Sequence, residues 1–190
     1  MFLDYVPLLL INMAAGLVIL AHFVHAGLDA TDRGRWAPAF GIAGVIALAG
    51  GFYMIWTWPL PGSYNAAFGE MSVLLGGLFL GAAWATAKGW DLLPVTLYAF
   101  LAGLMAVVLG VRIWNLGLTR TPALTGIGFL LTGSGGLFAL PAYCFRTVKG
   151  LRVVGALVLV AAAAIWTLIA GAGYWDHLAS FAKWVPATMR

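Results

Sequence analysis

The sequence predicts an all-α integral membrane protein, a bundle of six transmembrane helices, and three observations lead to this prediction. Apolar residues make up 63% of the chain and charged residues only 8%, whereas a soluble domain is about 45–50% apolar and about 25% charged. Six apolar segments are long enough to cross a hydrocarbon core, which takes about 20 residues. The short gaps between them hold most of the charged and turn residues. Residues 1–190 are therefore predicted to form a single transmembrane domain.

The six segments are expected to be helical, because a segment in lipid must satisfy its own backbone hydrogen bonds. Their predicted bounds are Val6–Gly27, Pro38–Trp58, Phe68–Ala87, Leu92–Trp114, Leu124–Phe145 and Val153–Tyr174. A transmembrane β-barrel would instead show alternation over strands of about ten residues. The lipid bilayer is thus the predicted environment of nearly the whole chain.

The Lys and Arg residues of the loops predict the orientation, because cytoplasmic loops carry an excess of them. The loops after helices one, three and five contain Arg33, Arg35, Lys88, Arg146, Lys149 and Arg152. The opposite side contains Arg112, Arg120, Lys183 and Arg190. The odd-numbered loops of a plasma-membrane protein are thus predicted in the cytoplasm, with both termini outside. The basic residues are scattered singly, so they indicate topology and no nucleic-acid partner.

Glycines indicate an internal repeat of a helical hairpin. At an offset of 59 residues, the aligned pairs are Gly44/Gly103, Gly51/Gly110, Gly69/Gly128 and Gly77/Gly136. Helices two and three would then resemble helices four and five, through duplication or through coincidence in a chain with 25 glycines. If the repeat is real, it predicts hairpins arranged around a common axis.

Small residues let membrane helices approach closely, and this is the interpretation for a set of glycines on helix faces. The glycines assigned to helix packing are Gly44, Gly51, Gly103, Gly110, Gly133 and Gly136. Lining a narrow passage is the alternative role for them.

Ionisable residues near membrane depth are functional candidates. Glu70 opens helix three and Arg112 lies in the last turn of helix four, so both are predicted near the outer face. A structural ion pair is compatible with this placement, and so is a polar constriction or a proton-sensitive gate at an outer vestibule. The candidates for a pore or polar site are Glu70, Asn65, Arg112, Asn115, Trp56 and Trp114.

His22 and His25 are three residues apart near the end of helix one, so they project to a similar side. They are interpreted as interfacial or hydrogen-bonded histidines, with pH sensing and a metal or haem site as alternatives. Cys144, the single cysteine, excludes an intrachain disulfide and is expected to be buried. Trp84 and Trp166 are expected to pack in the core. No spacing indicates a metal, a cofactor or a nucleophile–base set, so the chain is predicted not to be an enzyme.

Three segments carry a resemblance to a known family. They are Thr57–Glu70 (TWPLPGSYNAAFGE), Lys88–Asp91 (KGWD) and Arg112–Thr119 (RIWNLGLT). Together they resemble a family of small prokaryotic membrane proteins defined as a domain of unknown function, family 981. This resemblance covers most of the chain and implies no function.

A more remote similarity lies in Tyr64–Lys88 and the following Gly89–Tyr98 (GWDLLPVTLY). Here an apolar glycine-rich helix leads through a Gly-x-Asp-x-x-Pro turn into a helix with an early Tyr, which is similar to the proton-gated urea and short-chain amide channels. That similarity implies six helices, repeated hairpins, outward termini and a hexameric ring. The chain lacks the histidine- and acid-rich outer loops of those channels, and its pore-lining residues cannot be matched to theirs.

The leading hypothesis is a non-enzymatic, homo-oligomeric channel or facilitator for a small neutral solute such as urea or an amide. The alternative is a non-catalytic structural or accessory subunit of a larger membrane complex. A b-type cytochrome or quinone-site protein, based on His22 and His25, is a third hypothesis.

Overall fold

A computed structural model describes residues 5–185, and over that range the chain consists of helices, turns and loops, with no strand. The long helices are α1 (Val6–His22), α2 (Ala37–Thr57), α3 (Met71–Lys88), α4 (Leu93–Leu116), α5 (Pro122–Cys144) and α6 (Lys149–Phe181). With their terminal turns, all six are long and apolar enough to cross a membrane. The predicted fold class is confirmed. Arg190, which entered the orientation count, lies outside the described residues.

The helices begin and end where local chemistry favours it. Proline occupies one of the first two positions of α1, α2, α4 and α5, where its missing N–H costs no hydrogen bond. Gly89 and Gly117 end α3 and α4 with φ values of 69° and 64°, a left-handed conformation that suits glycine. A π-helical turn, Phe23–Gly27, extends α1, and another, Asn65–Glu70, precedes α3.

Helix six differs most from its predicted bounds. Val153–Tyr174 was predicted from its apolar run, whereas α6 begins at Lys149 and ends at Phe181. At about 1.5 Å per residue, its 33 residues are about 50 Å long, well beyond a hydrocarbon core of about 30 Å. Apolar composition marks only the part of a helix that lies in lipid, so it misses the turns that continue into the interface.

The helices form a closed ring in chain order. Each helix packs beside its neighbours in the sequence, and α6 returns to pack on α1. The contacts are extensive within the pairs α2–α3, α4–α5 and α1–α6, and they are sparse between α3 and α4. The ring therefore consists of three antiparallel helix pairs, and the α3–α4 seam is its most open side.

Glycines bring α4 and α5 into backbone contact. A Cβ atom placed on Gly103 would lie 2.6 Å from the carbonyl oxygen of Gly133, and one on Gly110 would lie 2.8 Å from that of Gly126. The hairpin of α2 and α3 repeats this arrangement, with Gly51 against the Gly69 carbonyl and Gly76 against the Gly44 carbonyl, both at 2.9 Å. Close helix approach through small residues is thus common to both hairpins.

The structure corrects the register of the repeat. The packed glycines of α2 and α4 are 59 residues apart, as predicted. In the second helix of each hairpin, however, Gly69 is equivalent to Gly126 and Gly76 is equivalent to Gly133, at an offset of 57 residues. The predicted pairs Gly69/Gly128 and Gly77/Gly136 are therefore wrong. The segment linking the first pair of helices is two residues longer, which shifts every position of the second helix.

All six glycines assigned to packing lie against a neighbouring helix, but two other interior assignments are wrong. Gly136 also lies against α4, 2.7 Å from the Ala99 carbonyl if it carried a Cβ atom. Trp166 is fully buried, as expected, whereas Trp84 is 63% exposed and stacks on Trp90 with ring centroids 6.3 Å apart. Cys144, expected to be buried, is exposed at the last residue of α5.

Candidate functional site

The buried polar candidate, Asn65, has a local structural role. Its side-chain oxygen accepts a hydrogen bond from the Leu60 N–H at 3.1 Å, and its amide donates one to the Leu60 carbonyl at 2.6 Å. Both bonds fix the loop before α3 onto the π-helical turn. The side chain is fully buried and its hydrogen bonds stay within this loop.

The other five pore candidates lie on the outside of the bundle. Glu70, Arg112 and Asn115 are exposed, and no ion pair joins Glu70 to Arg112 among residues 5–185. Trp56 and Trp114 are 74% and 51% exposed. These residues do not converge on a passage within one copy of the chain.

Both histidines of α1 are also exposed. The ring of His22 packs on Trp36 with centroids 5.0 Å apart, and the backbone carbonyl of His25 accepts a hydrogen bond from Arg152. No group of three side chains suited to holding a metal ion occurs in the described part of the chain. The histidines thus occupy the end of the bundle without forming a ligand cluster there.

Two adjoining cavities of about 90 and about 100 Å³ lie between the helices, and each is partly open to the outside. They share the lining residues Leu20, Leu75, Leu78, Ala99 and Ala139, and we call the combined space the interior cleft. Along α1 its lining extends from residue 13 to residue 28, which corresponds to about 22 Å of helix. The cleft therefore covers nearly three quarters of a hydrocarbon core about 30 Å thick.

The lining of the cleft is apolar apart from Thr96, Thr132 and Tyr143. The Thr96 hydroxyl donates to the Leu93 carbonyl at 2.8 Å. The Thr132 hydroxyl donates to the Gly128 carbonyl and accepts from the indole N–H of Trp166, both at 2.8 Å. The hydroxyl groups are thus already bonded within the protein, and a guest molecule meets a largely hydrocarbon wall.

An aromatic cluster closes the cleft at the end of the bundle that holds the α2–α3 and α4–α5 loops. Phe129 lines the cleft, and its ring centroid lies 5.0 Å from that of Trp166 and 5.6 Å from that of Phe68. Phe68 belongs to the π-helical turn before α3. The turn thus positions an aromatic ring against Phe129 at this end of the bundle.

At the opposite end, which holds the α1–α2, α3–α4 and α5–α6 loops and which we call the odd-loop end, Tyr143 closes the cleft. Its hydroxyl donates to Asp91 at 2.8 Å, and the same carboxylate oxygen accepts the Leu93 backbone N–H at 2.7 Å. These two hydrogen bonds, with the nearby guanidinium groups of Arg146 and Arg33, hold the pKa of the Asp91 carboxyl below its usual range. Asp91 therefore stays ionised to lower pH than a free aspartate.

An arginine missed as a site residue anchors this end of the bundle. The Arg152 side chain is only 11% exposed and donates to the carbonyls of Val24 at 2.9 Å and His25 at 2.6 Å. It also pairs with Asp29, whose other carboxylate oxygen lies 3.7 Å from Arg146. The start of α6 is thus fixed to the end of α1. The sequence does contain a signal for this role, since Arg152 directly precedes an apolar segment, but the prediction of orientation uses Arg152 only as a basic loop residue.

Fold and interior together define the class: a six-helix membrane protein with an apolar cleft inside its ring. Within that class the chain belongs to the family described as "Protein of unknown function (DUF981)", which it matches over residues 1–180. This confirms the resemblance carried by the Thr57–Glu70 loop. No curated protein and no solved structure matches the chain, so the similarity to urea and amide channels gains no support from these comparisons.

Proposed function

We propose that the protein is a non-enzymatic channel or facilitator that carries a small neutral solute through the interior of each copy of the chain. The observation that supports this proposal is the interior cleft, which is lined by side chains from all six helices. The path is assigned to the cleft rather than to Glu70, Arg112, Asn115, Trp56 and Trp114, which are exposed on the bundle surface.

The chemistry of the lining narrows the class of solute. An ion would lose its hydration among apolar side chains at prohibitive cost, and each polar group without a partner costs about 1–3 kcal/mol. Urea and glycerol expose more hydrogen-bonding groups than acetamide, whose methyl group suits an apolar wall. The proposed solutes are therefore short-chain amides first and urea second, with glycerol disfavoured.

The test is solute uptake by proteoliposomes followed by light scattering. We expect acetamide uptake faster than in empty vesicles, urea uptake slower than that of acetamide, and little effect on glycerol. Ala139→Phe, which fills the cleft where its two cavities meet, should remove the acetamide effect. Ala164→Phe on the exposed face of α6 makes the same change in size and should leave it intact.

Uptake equal to that of empty vesicles for all three solutes would overturn the proposal. A polypeptide that co-purifies in constant ratio would then support the accessory-subunit alternative.

The proposal also includes homo-oligomeric assembly, for which the uncovered apolar face of α4, with Leu101 62% exposed, offers a surface. Native mass spectrometry that detects only single chains would contradict homo-oligomeric assembly.

The proposed orientation places the odd-loop end in the cytoplasm of a plasma-membrane protein. It is supported by the six basic residues at that end, against three at the other within residues 5–185. In a Cys144→Ser background, Thr147→Cys in the α5–α6 loop should react with a membrane-impermeant maleimide only after cells are permeabilised. Ser63→Cys in the α2–α3 loop should react in intact cells. The reverse pattern would contradict the orientation.

A further inference from the structure

The odd-loop end of the cleft is closed by side chains from three separate elements. Tyr143 of α5 is 8% exposed and Leu92, beside Asp91 in the α3–α4 loop, is 4% exposed. Both line the cleft, together with Phe23 from the π-helical turn that extends α1. A molecule in the cleft must displace this layer to reach the odd-loop end.

One hydrogen bond fixes the layer from the solvent side. The Tyr143 hydroxyl donates to Asp91 at 2.8 Å and thereby ties the end of α5 to the α3–α4 loop. The α3–α4 loop is also held by Leu92, which packs in the same buried apolar cluster as Tyr143, and by the stacking of Trp90 on Trp84. Separating the loop from α5 therefore breaks the Tyr143–Asp91 hydrogen bond and the apolar packing of Leu92, while few contacts between α3 and α4 oppose the movement.

The groups around this bond act in opposite directions, because Arg146 holds the tyrosine ring in place and water competes for Asp91. Arg146 lies over the Tyr143 ring, 5.2 Å from its centroid, and also pairs with Asp29. The Asp91 carboxylate is exposed, so water replaces the tyrosine as its hydrogen-bond partner when the contact opens. Exchange of a protein hydrogen bond for one to water has a small net free energy.

We infer that Tyr143 and Asp91 form a latch that closes the odd-loop end of the cleft. Separation of the α3–α4 loop from α5 breaks the Tyr143–Asp91 hydrogen bond and opens the end of the path between Leu92 and Tyr143. This inference rests on the proposed function only for what passes through the opening. The closure itself is a property of the structure and is measurable without any transported solute.

The experiment measures access to the cleft directly. In a Cys144→Ser background, Ala139→Cys provides a thiol in the lining, and its reaction with a small hydrophilic methanethiosulfonate is followed in detergent-purified protein. Adding Tyr143→Phe keeps the ring and removes the hydroxyl, so the reaction should accelerate about tenfold, as expected for loss of one charge-assisted hydrogen bond. Tyr98→Phe, on the half-exposed surface of α4, should leave the rate unchanged.

A second variant approaches the bond from its other partner. Asp91→Asn keeps an oxygen for the Leu93 N–H but accepts more weakly from tyrosine, so its rate should lie between those of the parent and of Tyr143→Phe. An unchanged rate in both variants, with melting temperatures equal to the parent, would overturn the latch. A faster reaction without any acetamide uptake in vesicles would support the latch and contradict the channel. If acetamide uptake is lost in Ala139→Phe but the labelling rate is unchanged in Tyr143→Phe, the channel would be supported and the latch contradicted.

Discussion

Gly103→Ala should destabilise the protein by about 1–3 kcal/mol, the usual cost of forcing an extra group into a packed interface, although alanine is the better helix former. The added methyl group would lie 2.6 Å from the Gly133 carbonyl oxygen and 2.8 Å from the Leu137 nitrogen. Both contacts are to backbone, which no change of rotamer relieves. Helices α4 and α5 would have to separate along their most extensive interface.

Gly77→Ala is the matched control, because a Cβ atom there meets nothing within 4 Å. Alanine favours a helix over glycine by about 1 kcal/mol, so this variant should be as stable as the parent or more stable. Thermal melting of both variants in the same detergent decides the question. Equal shifts in the same direction would show that the α4–α5 glycines are not packed as described.

Arg152→Ala should cost about 1–3 kcal/mol of stability, because it removes hydrogen bonds from a charged donor to two backbone carbonyls, while the pair with the half-exposed Asp29 adds little. The substitution leaves the Val24 and His25 carbonyls without their donor and leaves Asp29 with only the longer contact to Arg146. Lysine should restore part of this loss, since one ammonium group cannot reproduce the fork of a guanidinium.

Arg120→Ala provides the comparison for a surface pair. Arg120 and Asp176 lie 3.5 Å apart with side chains 84% and 58% exposed, and such pairs contribute under about 1 kcal/mol. Melting temperatures and resistance to SDS denaturation should therefore fall strongly for Arg152→Ala and barely for Arg120→Ala. Similar losses in both would contradict the anchoring role of Arg152.

The helices could be predicted because lipid imposes a single rule along the chain. Continuous apolar runs locate all six spans, and glycine or proline marks many of their ends. The failures lie where that rule stops: α6 continues past Tyr174 with Trp175, Asp176 and His177, residues that suit an interface. The predicted repeat was wrong by two residues in its second helix, because matching glycines in the sequence does not show that the α2–α3 connection is longer than the α4–α5 connection.

The candidate site was less accessible to sequence reasoning. Polar side chains are conspicuous in an apolar chain, but Glu70 and Arg112 lie on the surface and Asn65 stabilises a loop. The cleft is lined by leucine and alanine, which look the same in the sequence whether they face lipid, a neighbour or a void. The arrangement of the helices in the structure is needed to tell which leucine and alanine side chains face lipid, a neighbouring helix or the cleft.

The matching glycine contacts of the two hairpins have a consequence for how such a protein can grow. Each hairpin leaves and returns to the odd-loop end, and each is held together chiefly by its own backbone contacts. A gene segment encoding one hairpin is therefore a modular unit. Inserting a copy would keep the direction in which every later helix crosses the membrane, and α6 could still pack on α1. The ring would grow from six helices to eight, and the space between them would widen with it.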